Sequence, residues 1–130
     1  MGAWADPQAE STFEVCKLRW GSLEAAPHAD MLAFYRALIA ARRRLAPLRN
    51  GRKDLARVAY DEAARWLTIA RGDDGGAATF TCANLGDAPA RIRLPDGAWT
   101  LVLATDASFA GAASPTIVLP PSTAAIYARD

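Results

Sequence analysis

This chain of 130 residues carries 15 basic and 14 acidic side chains, so its formal net charge is only +1. A chain of this length buries one modest core, and its near-neutral charge excludes strong attraction to nucleic acid or to an anionic membrane. Hydrophobic residues make up 52% of the chain, which argues against disorder, although much of that fraction is alanine.

Short features of the chain indicate the cytoplasm and argue against a metal or cofactor. The first ten residues lack the basic and apolar parts of a signal peptide, and no run approaches the roughly 18 to 20 apolar residues of a membrane span. We read Cys16 and Cys82 as two reduced thiols rather than as a disulfide, which favours the cytoplasm. Two cysteines and the single His28 cannot complete a standard structural zinc site, so we expect no metal and no cofactor.

The first 26 residues show little periodicity, and we expect an irregular segment that wraps over another surface. A helix is then predicted from Pro27 to Leu45, because apolar side chains recur every three or four positions and Pro47 ends the pattern. The predicted apolar stripe consists of Met31, Leu32, Tyr35, Leu38 and Ile39. We expect this stripe to pack against the rest of the chain or a partner, with exposed apolar surface around Phe34.

After Asn50-Gly51 the period of the pattern changes from 3.6 to 2, which indicates β-strands. Short segments separated by Gly-, Asp- and Pro-containing turns predict seven strands: Ala56–Tyr60, Arg65–Arg71, Ala77–Asn84, Ala90–Leu94, Trp99–Ala104, Thr116–Leu119 and Thr123–Ala128. The connections are too short for crossover helices, so the strands should pair antiparallel. The predicted fold class is mainly β with one N-terminal helix, in a small antiparallel sandwich or meander.

Pairs of neighbouring carboxylates are the first candidate catalysts in this sequence. The available pairs, Asp61-Glu62 and Asp73-Asp74, both fall in predicted hairpin turns, where Asp is favoured for turn geometry. His28 stands at a helix start without a serine or cysteine motif nearby, so no catalytic triad is supported. The segment Gly72–Gly76 lacks the Lys-Ser/Thr of a phosphate loop, and Arg42-Arg43-Arg44 suits the negative end of the helix dipole.

The four tryptophans allow two interpretations. Exposed aromatic side chains on one sheet face would form a platform for sugar rings, as in a carbohydrate-binding module. Trp66 and Trp99, however, lie within predicted strands beside leucines, and we expect both to be mostly buried. Trp4 and Trp20 belong to the irregular first segment.

The order of several short motifs resembles the end of an α-amylase-family glycoside hydrolase. The motifs are Asp6-Pro7-Gln8, Thr12-Phe13, Lys17-Leu18-Arg19-Trp20, a helix containing Tyr35-Arg36 and Leu38-Ile39 followed by Arg42-Arg43, and Ala46-Pro47-Leu48. Within that family the likeness is closest to the members that release trehalose from maltooligosyl-trehalose. The strand end Cys82-Ala83-Asn84-Leu85 and the segment Leu119-Pro120-Pro121-Ser122 are also similar to the terminal domains of these enzymes.

The resemblance implies a division of the chain. Residues 1–48 would be the last loop and last helix of a truncated (β/α)8 barrel, and residues 49–130 the C-terminal antiparallel β-domain. A complete barrel needs about 250 residues, so none fits here. Active-site loops lie at the C-terminal ends of barrel strands, so Asp6 and Gln8 could contact a sugar in the complete enzyme; a turn role for Asp6-Pro7 is equally open.

The resulting functional expectation is a non-catalytic C-terminal domain that stabilises the barrel of a trehalose-releasing hydrolase. Its partner would be the missing catalytic barrel, with self-association through the exposed helix face as a further expectation. The alternatives are a free-standing carbohydrate-binding β-module, the equivalent tail of a branching or debranching enzyme, and a stabilising domain without a ligand.

Overall fold

The structure is a computed structural model that describes residues 6–111 and 114–129. The chain divides into two compact units between Phe34 and Tyr35, within its long helix. The boundary that we predict between residues 48 and 49 from the resemblance remains a prediction. Trp4 lies outside the described residues.

The first unit contains a short helix that the sequence patterns did not reveal. Helix α1 spans Glu10–Cys16, and a 3₁₀ turn spans Trp20–Glu24. The expectation of an irregular segment is therefore wrong for these residues. The reason is local hydrogen bonding: the Ala9 carbonyl accepts the backbone N–H groups of Thr12 and Phe13, at 3.0 and 3.3 Å, which starts a helical turn without any long apolar period.

Helix α2 spans His28–Arg44, within one residue of the predicted bounds. The Pro27 carbonyl accepts the backbone N–H of Met31 at 3.0 Å, so Pro27 stands immediately before the first helical turn. The acidic Asp30 near the start and three arginines in the last turn both complement the helix dipole. A 3₁₀ turn at Ala46–Leu48 follows and contains the buried Pro47.

The predicted apolar stripe of α2 is only partly buried. Met31, Tyr35 and Ile39, which are spaced one turn apart, are exposed, whereas Leu32 and Leu38 are partly buried. Phe34, around which we expected exposed apolar surface, is itself partly buried. The exposed apolar side of α2 therefore lies along the other three side chains.

The second unit contains seven strands among the described residues, each within one residue of its predicted bounds. They are β1 Ala56–Asp61, β2 Trp66–Gly72, β3 Ala78–Asn84, β4 Ala90–Arg93, β5 Thr100–Ala104, β6 Thr116–Leu119 and β7 Thr123–Arg129. All pairings are antiparallel, and the strands form a five-stranded sheet, β1-β2-β3-β7-β5, and a two-stranded sheet, β4-β6. The prediction of a mainly β, antiparallel fold with an N-terminal helix is confirmed.

One hydrophobic core joins side chains from both sheets. The five-stranded sheet contributes residues such as Phe80 and Tyr127, and the two-stranded sheet contributes Ile92, Ile117 and Leu119. The contributing positions alternate along each strand, as expected when one face of each sheet points inward. The β-strands thus form a small two-layer sandwich.

Two asparagine side chains form hydrogen bonds that link separate segments of the sandwich. Asn84, fully buried at the end of β3, donates from Nδ2 to the carbonyls of Ala88, Leu119 and Pro120 at 2.9–3.0 Å, and its Oδ1 accepts the Gly86 N–H. These bonds tie β3 to the end of β6. Asn50 donates from Nδ2 to the Gly72 carbonyl at 2.9 Å and thereby attaches the segment after α2 to β2.

Candidate functional site

The predicted sugar contacts Asp6 and Gln8 lie in an exposed turn that precedes α1. The Asp6 carboxylate oxygen Oδ1 accepts the Gln8 backbone N–H at 2.9 Å. The Asp6 carbonyl accepts the Thr12 hydroxyl at 2.6 Å and the Ala9 N–H at 3.1 Å. These bonds give Asp6 a role in forming the turn. A sugar contact by either side chain in a complete enzyme remains a prediction.

One Asp of each carboxylate pair in the β-domain accepts backbone N–H groups in a turn, as the sequence predicts. Asp61 Oδ1 accepts the Ala64 N–H at 2.9 Å, and Asp73 Oδ1 accepts the N–H groups of Gly75 and Ala77, each at 2.9 Å. Asp74 forms an exposed ion pair with Arg52, at 2.7 Å between Oδ1 and Nη1. A general acid normally lies in a pocket shielded from water, whereas Asp61, Glu62 and Asp74 are exposed.

The lowered pKa values of two other carboxylates among the described residues also argue against a general acid. Hydrogen bonding to Arg52 lowers the pKa of Asp54, and hydrogen bonds from the hydroxyl and N–H of Ser108 lower the pKa of Asp106. Both carboxylates are therefore ionised near neutral pH, which suits turn formation rather than proton donation.

The thiols and the histidine form no catalytic arrangement in the described part of the chain. Cys16 is a free, exposed residue at the end of α1, and Cys82 is a free, fully buried residue of β3. Burial raises the pKa of the Cys82 thiol to about 11, so it is a neutral core group near pH 7. His28 is exposed at the first residue of α2. Among the described residues, no group of three or more metal-ligating side chains is assembled.

The tryptophans of the strands belong to the core to different degrees. Trp99 is 5% exposed, donates from Nε1 to the Pro95 carbonyl at 2.7 Å, and packs beside Phe80 with ring centroids 6.0 Å apart. Its predicted burial is confirmed. Trp66 packs against the core and is mostly covered, as predicted, although less completely than Trp99. Trp20, in the first unit, is exposed.

The outward faces of the two sheets of the β-domain differ in polarity. On the two-stranded sheet, Arg91 and Arg93 point outward, opposite Val118 and Thr116. On the five-stranded sheet, one row of outward positions crosses all five strands and is apolar except on the middle strand, β3. This row, here called the apolar row, runs across Val58, Ile69, Thr81, Ile126 and Leu103.

A shallow groove of about 540 Å³ lies at the β1–β2 end of the apolar row. Val58, Tyr60, Leu67 and Leu85 supply its apolar lining, and Val58 and Tyr60 are 65% and 66% exposed. Asp61, Glu62 and Arg65 lie at its polar margin. We call this feature the β1–β2 groove. The sequence pattern does not reveal this groove, because it depends on which residues of separate strands share a face. Its one sign in the sequence is the run Trp66-Leu67-Thr68-Ile69, which puts large apolar side chains on both faces of β2.

Comparisons with known proteins find relatives for about two thirds to three quarters of the chain. No protein-family model matches it. Malto-oligosyltrehalose trehalohydrolase of Mycobacterium tuberculosis strain H37Rv is 39% identical over 84 residues, which cover 65% of this chain and 14% of the relative. The enzyme of the same name from Rhizobium sp. strain M-11 is 40% identical over 102 residues, which cover 78% of this chain and 16% of the relative. This chain matches the C-terminal part of malto-oligosyltrehalose trehalohydrolase.

Solved structures agree with this match to the trehalohydrolases. Trehalulose synthase MutB from Pseudomonas mesoacidophila MX-45, an α-amylase-family enzyme, superposes with a TM-score of 0.62 at 26% identity, over 74% of this chain and 17% of that chain. The same enzyme in crystals of a mutant soaked with trehalulose gives a TM-score of 0.62 over 75% of this chain. The resemblance to the end of an α-amylase-family enzyme is confirmed, and so is the assignment of a C-terminal β-domain.

The matched part is a small share of each trehalohydrolase. The chain spans 14–16% of the length of the Mycobacterium and Rhizobium relatives. Within residues 6–111 and 114–129, no helix has the length and apolar character needed to cross a membrane.

Proposed function

We propose that this chain is the non-catalytic C-terminal domain of a malto-oligosyltrehalose trehalohydrolase and that it stabilises the catalytic barrel. The observation that carries the proposal is the match itself: 40% identity to the Rhizobium sp. strain M-11 relative extends over 102 residues of this chain but over only 16% of that enzyme. The β-domain has its own hydrophobic core. In each carboxylate pair, one Asp accepts backbone hydrogen bonds that form a turn.

The parent enzyme would hydrolyse the α-1,4 bond next to the terminal trehalose unit of a maltooligosyl-trehalose, in the cytoplasm and without a cofactor. Such hydrolysis requires an acid and a second carboxylate held about 5–10 Å apart around the scissile bond. In this chain the adjacent carboxylates accept backbone hydrogen bonds within exposed turns. We therefore expect the chain alone to release no trehalose from maltooligosyl-trehalose above a buffer blank.

A carbohydrate-binding module has weaker support. A sugar platform needs two or three exposed aromatic rings on one face. Trp99 is in the core and Trp66 is partly buried, which leaves Tyr60 as the exposed ring beside the polar margin of the β1–β2 groove. Isothermal titration of the chain with maltooligosaccharides addresses this alternative, and tight binding that Tyr60→Ala abolishes would favour the module.

The stabilising role can be tested by exchanging segments. In the Rhizobium sp. strain M-11 relative, the matching C-terminal segment is replaced by this chain, and a second version simply lacks that segment. We expect the exchanged enzyme to release trehalose and to survive heating far better than the shortened one, because the β-domain covers apolar surface of the barrel. An exchanged enzyme that is no more stable than the shortened version would contradict the proposed function.

A further inference from the structure

Two polar side chains with buried, unpartnered atoms lie directly opposite each other on the five-stranded sheet. Arg71 of β2 is paired in register with Thr79 of β3, so their Cβ atoms lie on one face of the sheet, about 4.5–5.5 Å apart. Thr79 is 1% exposed, and Nε of Arg71 is likewise shielded from solvent. Neither Arg71 Nε nor Thr79 Oγ1 forms a hydrogen bond to an atom of residues 6–111 and 114–129.

A short turn and two small residues surround this pair. The 3₁₀ turn Ala46–Leu48 lies against both β2 and β3, and it contributes the buried Pro47. Just after the turn, the Asn50 carbonyl accepts a hydrogen bond from Nη2 of Arg71 at 2.6 Å. In the sheet, the pair is flanked by Ala56 on β1 and Ala128 on β7, whose short side chains leave space beside the two polar groups.

The two unpartnered atoms have complementary hydrogen-bonding properties. The Nε–H of Arg71 can only donate, whereas the hydroxyl of Thr79 can both donate and accept. A buried polar group without a partner lowers the stability of the fold, and in folded proteins an ordered water commonly supplies the missing bonds. Such a water needs two to four polar partners, and this site offers both side chains together with the backbone carbonyls of the turn.

We propose that one buried water molecule bridges Arg71 Nε and Thr79 Oγ1 beneath the 3₁₀ turn Ala46–Leu48. The water accepts a hydrogen bond from the Nε–H and forms a second one with the Thr79 hydroxyl. It thereby links β2 to β3 under the segment that connects α2 to the β-domain, where Asn50 already bonds to Gly72. The inference does not depend on the proposed function.

A small anion such as chloride is a poorer occupant than water. The Arg71 guanidinium already makes a charge-assisted hydrogen bond to the Asn50 carbonyl, at 2.6 Å. An anion in a site closed to solvent would lose its hydration shell and receive bonds from only two side-chain donors, which is unfavourable. A water can also donate to the carbonyls of the turn, which an anion cannot do.

Crystallography of the chain tests the occupant directly, with bromide replacing chloride in the crystallisation solution. We expect one peak of electron density within hydrogen-bonding distance of Arg71 Nε and Thr79 Oγ1, without anomalous signal. An anomalous bromide peak at this position would assign the site to an anion and overturn the inference. A direct hydrogen bond between the two side chains, with no density peak between them, would also overturn it.

Thermal melting of Thr79→Val provides a second test, in which the sign of the change is decisive. Valine keeps the shape of threonine but removes the hydroxyl. If the water is present, the variant leaves the water and Arg71 Nε short of a partner, and the melting temperature should fall by about 5 °C. If the hydroxyl has no partner, its replacement by a methyl group should leave the melting temperature unchanged or raise it. That result would contradict the bridge.

Two further variants serve as controls for these measurements. Thr81→Val makes the same substitution two residues along β3, on the same face, where the side chain is partly exposed, and it should shift the melting temperature by less than about 2 °C. Thr79→Ser keeps the hydroxyl and should retain the density peak. Loss of the peak in Thr79→Ser would overturn the inference, and this test remains available if Thr79→Val does not fold.

Discussion

The outward faces of the two sheets differ in a way that distinguishes a solvated surface from one suited to burial. The two-stranded sheet places Ile92 and Ile117 inside and Arg91 and Arg93 outside, and Val118 is its one outward apolar residue. The five-stranded sheet does not alternate, because Val58 and Ile69 face outward while Phe80 and Tyr127 face inward. One domain therefore presents both a surface for water and a surface for a partner, although both sheets contribute to the same core.

The largest expected effect concerns that shared core. Trp99→Ala should lower the free energy of unfolding by about 3–5 kcal/mol, since it removes a buried indole that packs on Phe80. That loss is a large part of the stability of an ordinary domain. Thermal melting measures it, with Trp20→Ala as a control because Trp20 is exposed. An unchanged melt for Trp99→Ala would show that the two sheets do not depend on one core.

The next effect concerns the link between β3 and β6. Asn84→Ala should lower the free energy of unfolding by about 2–3 kcal/mol, because the buried carbonyl of Leu119 and the partly buried carbonyl of Pro120 would both lose their donor. Urea unfolding monitored by circular dichroism gives the value. Asn50→Ala is the matched control on an outer connection, and it should cost less because its site is only partly buried. A loss for Asn84→Ala no greater than for Asn50→Ala would contradict this ranking.

A pH dependence should report the burial of the inward face. The folded-state pKa of Cys82 is raised by burial to about 11, from an ordinary value of 9.0. The folded protein therefore holds the proton more tightly, so this stabilisation is complete below about pH 9 and is lost as the pH rises towards 11. Urea unfolding between pH 8 and about 11 should show this decline, and it should be smaller in Cys82→Ala. An identical decline in both proteins would show that Cys82 is not its source.

The smallest expected effect is the most direct test of the unequal faces. In the isolated chain, Val58→Asp and Val118→Asp should change the free energy of unfolding by amounts that differ by less than about 0.5 kcal/mol, because both side chains are exposed there. Binding of a hydrophobic dye should nevertheless fall for Val58→Asp more than for Val118→Asp, since only the first interrupts a continuous apolar surface. Equal dye binding would show that the two faces are equivalent.

Exposed apolar side chains on α2 leave one earlier expectation open. Met31, Tyr35 and Ile39 follow one another along the exposed side of the helix, and self-association through this side remains a prediction. Analytical ultracentrifugation of the chain and of Ile39→Lys would measure it, and a monomer at high concentration in both cases would count against it.

The amino-acid sequence by itself determined the secondary-structure elements and the resemblance to the C-terminal part of α-amylase-family enzymes. Period-2 patterns and turn residues located every strand to within one residue, because strand ends are set by local turn chemistry. The order of motifs from Asp6 to Leu48 identified the α-amylase-family terminus that the trehalohydrolase matches support. The sequence pattern does not predict helix α1, because a helix of seven residues carries less than two full apolar repeats.

Only the tertiary structure decided which residues act together. The buried Asn84 reads in the sequence as an ordinary strand-end polar residue, and only its bonds to Leu119 and Pro120 show that it joins the two sheets. Likewise, Val58, Ile69 and Ile126 form one surface because β1, β2, β3 and β7 pair in a register that alternation alone does not specify. Side-chain period places a residue on one face of its own strand, whereas non-local pairing determines which strands share that face and what remains for a partner to cover.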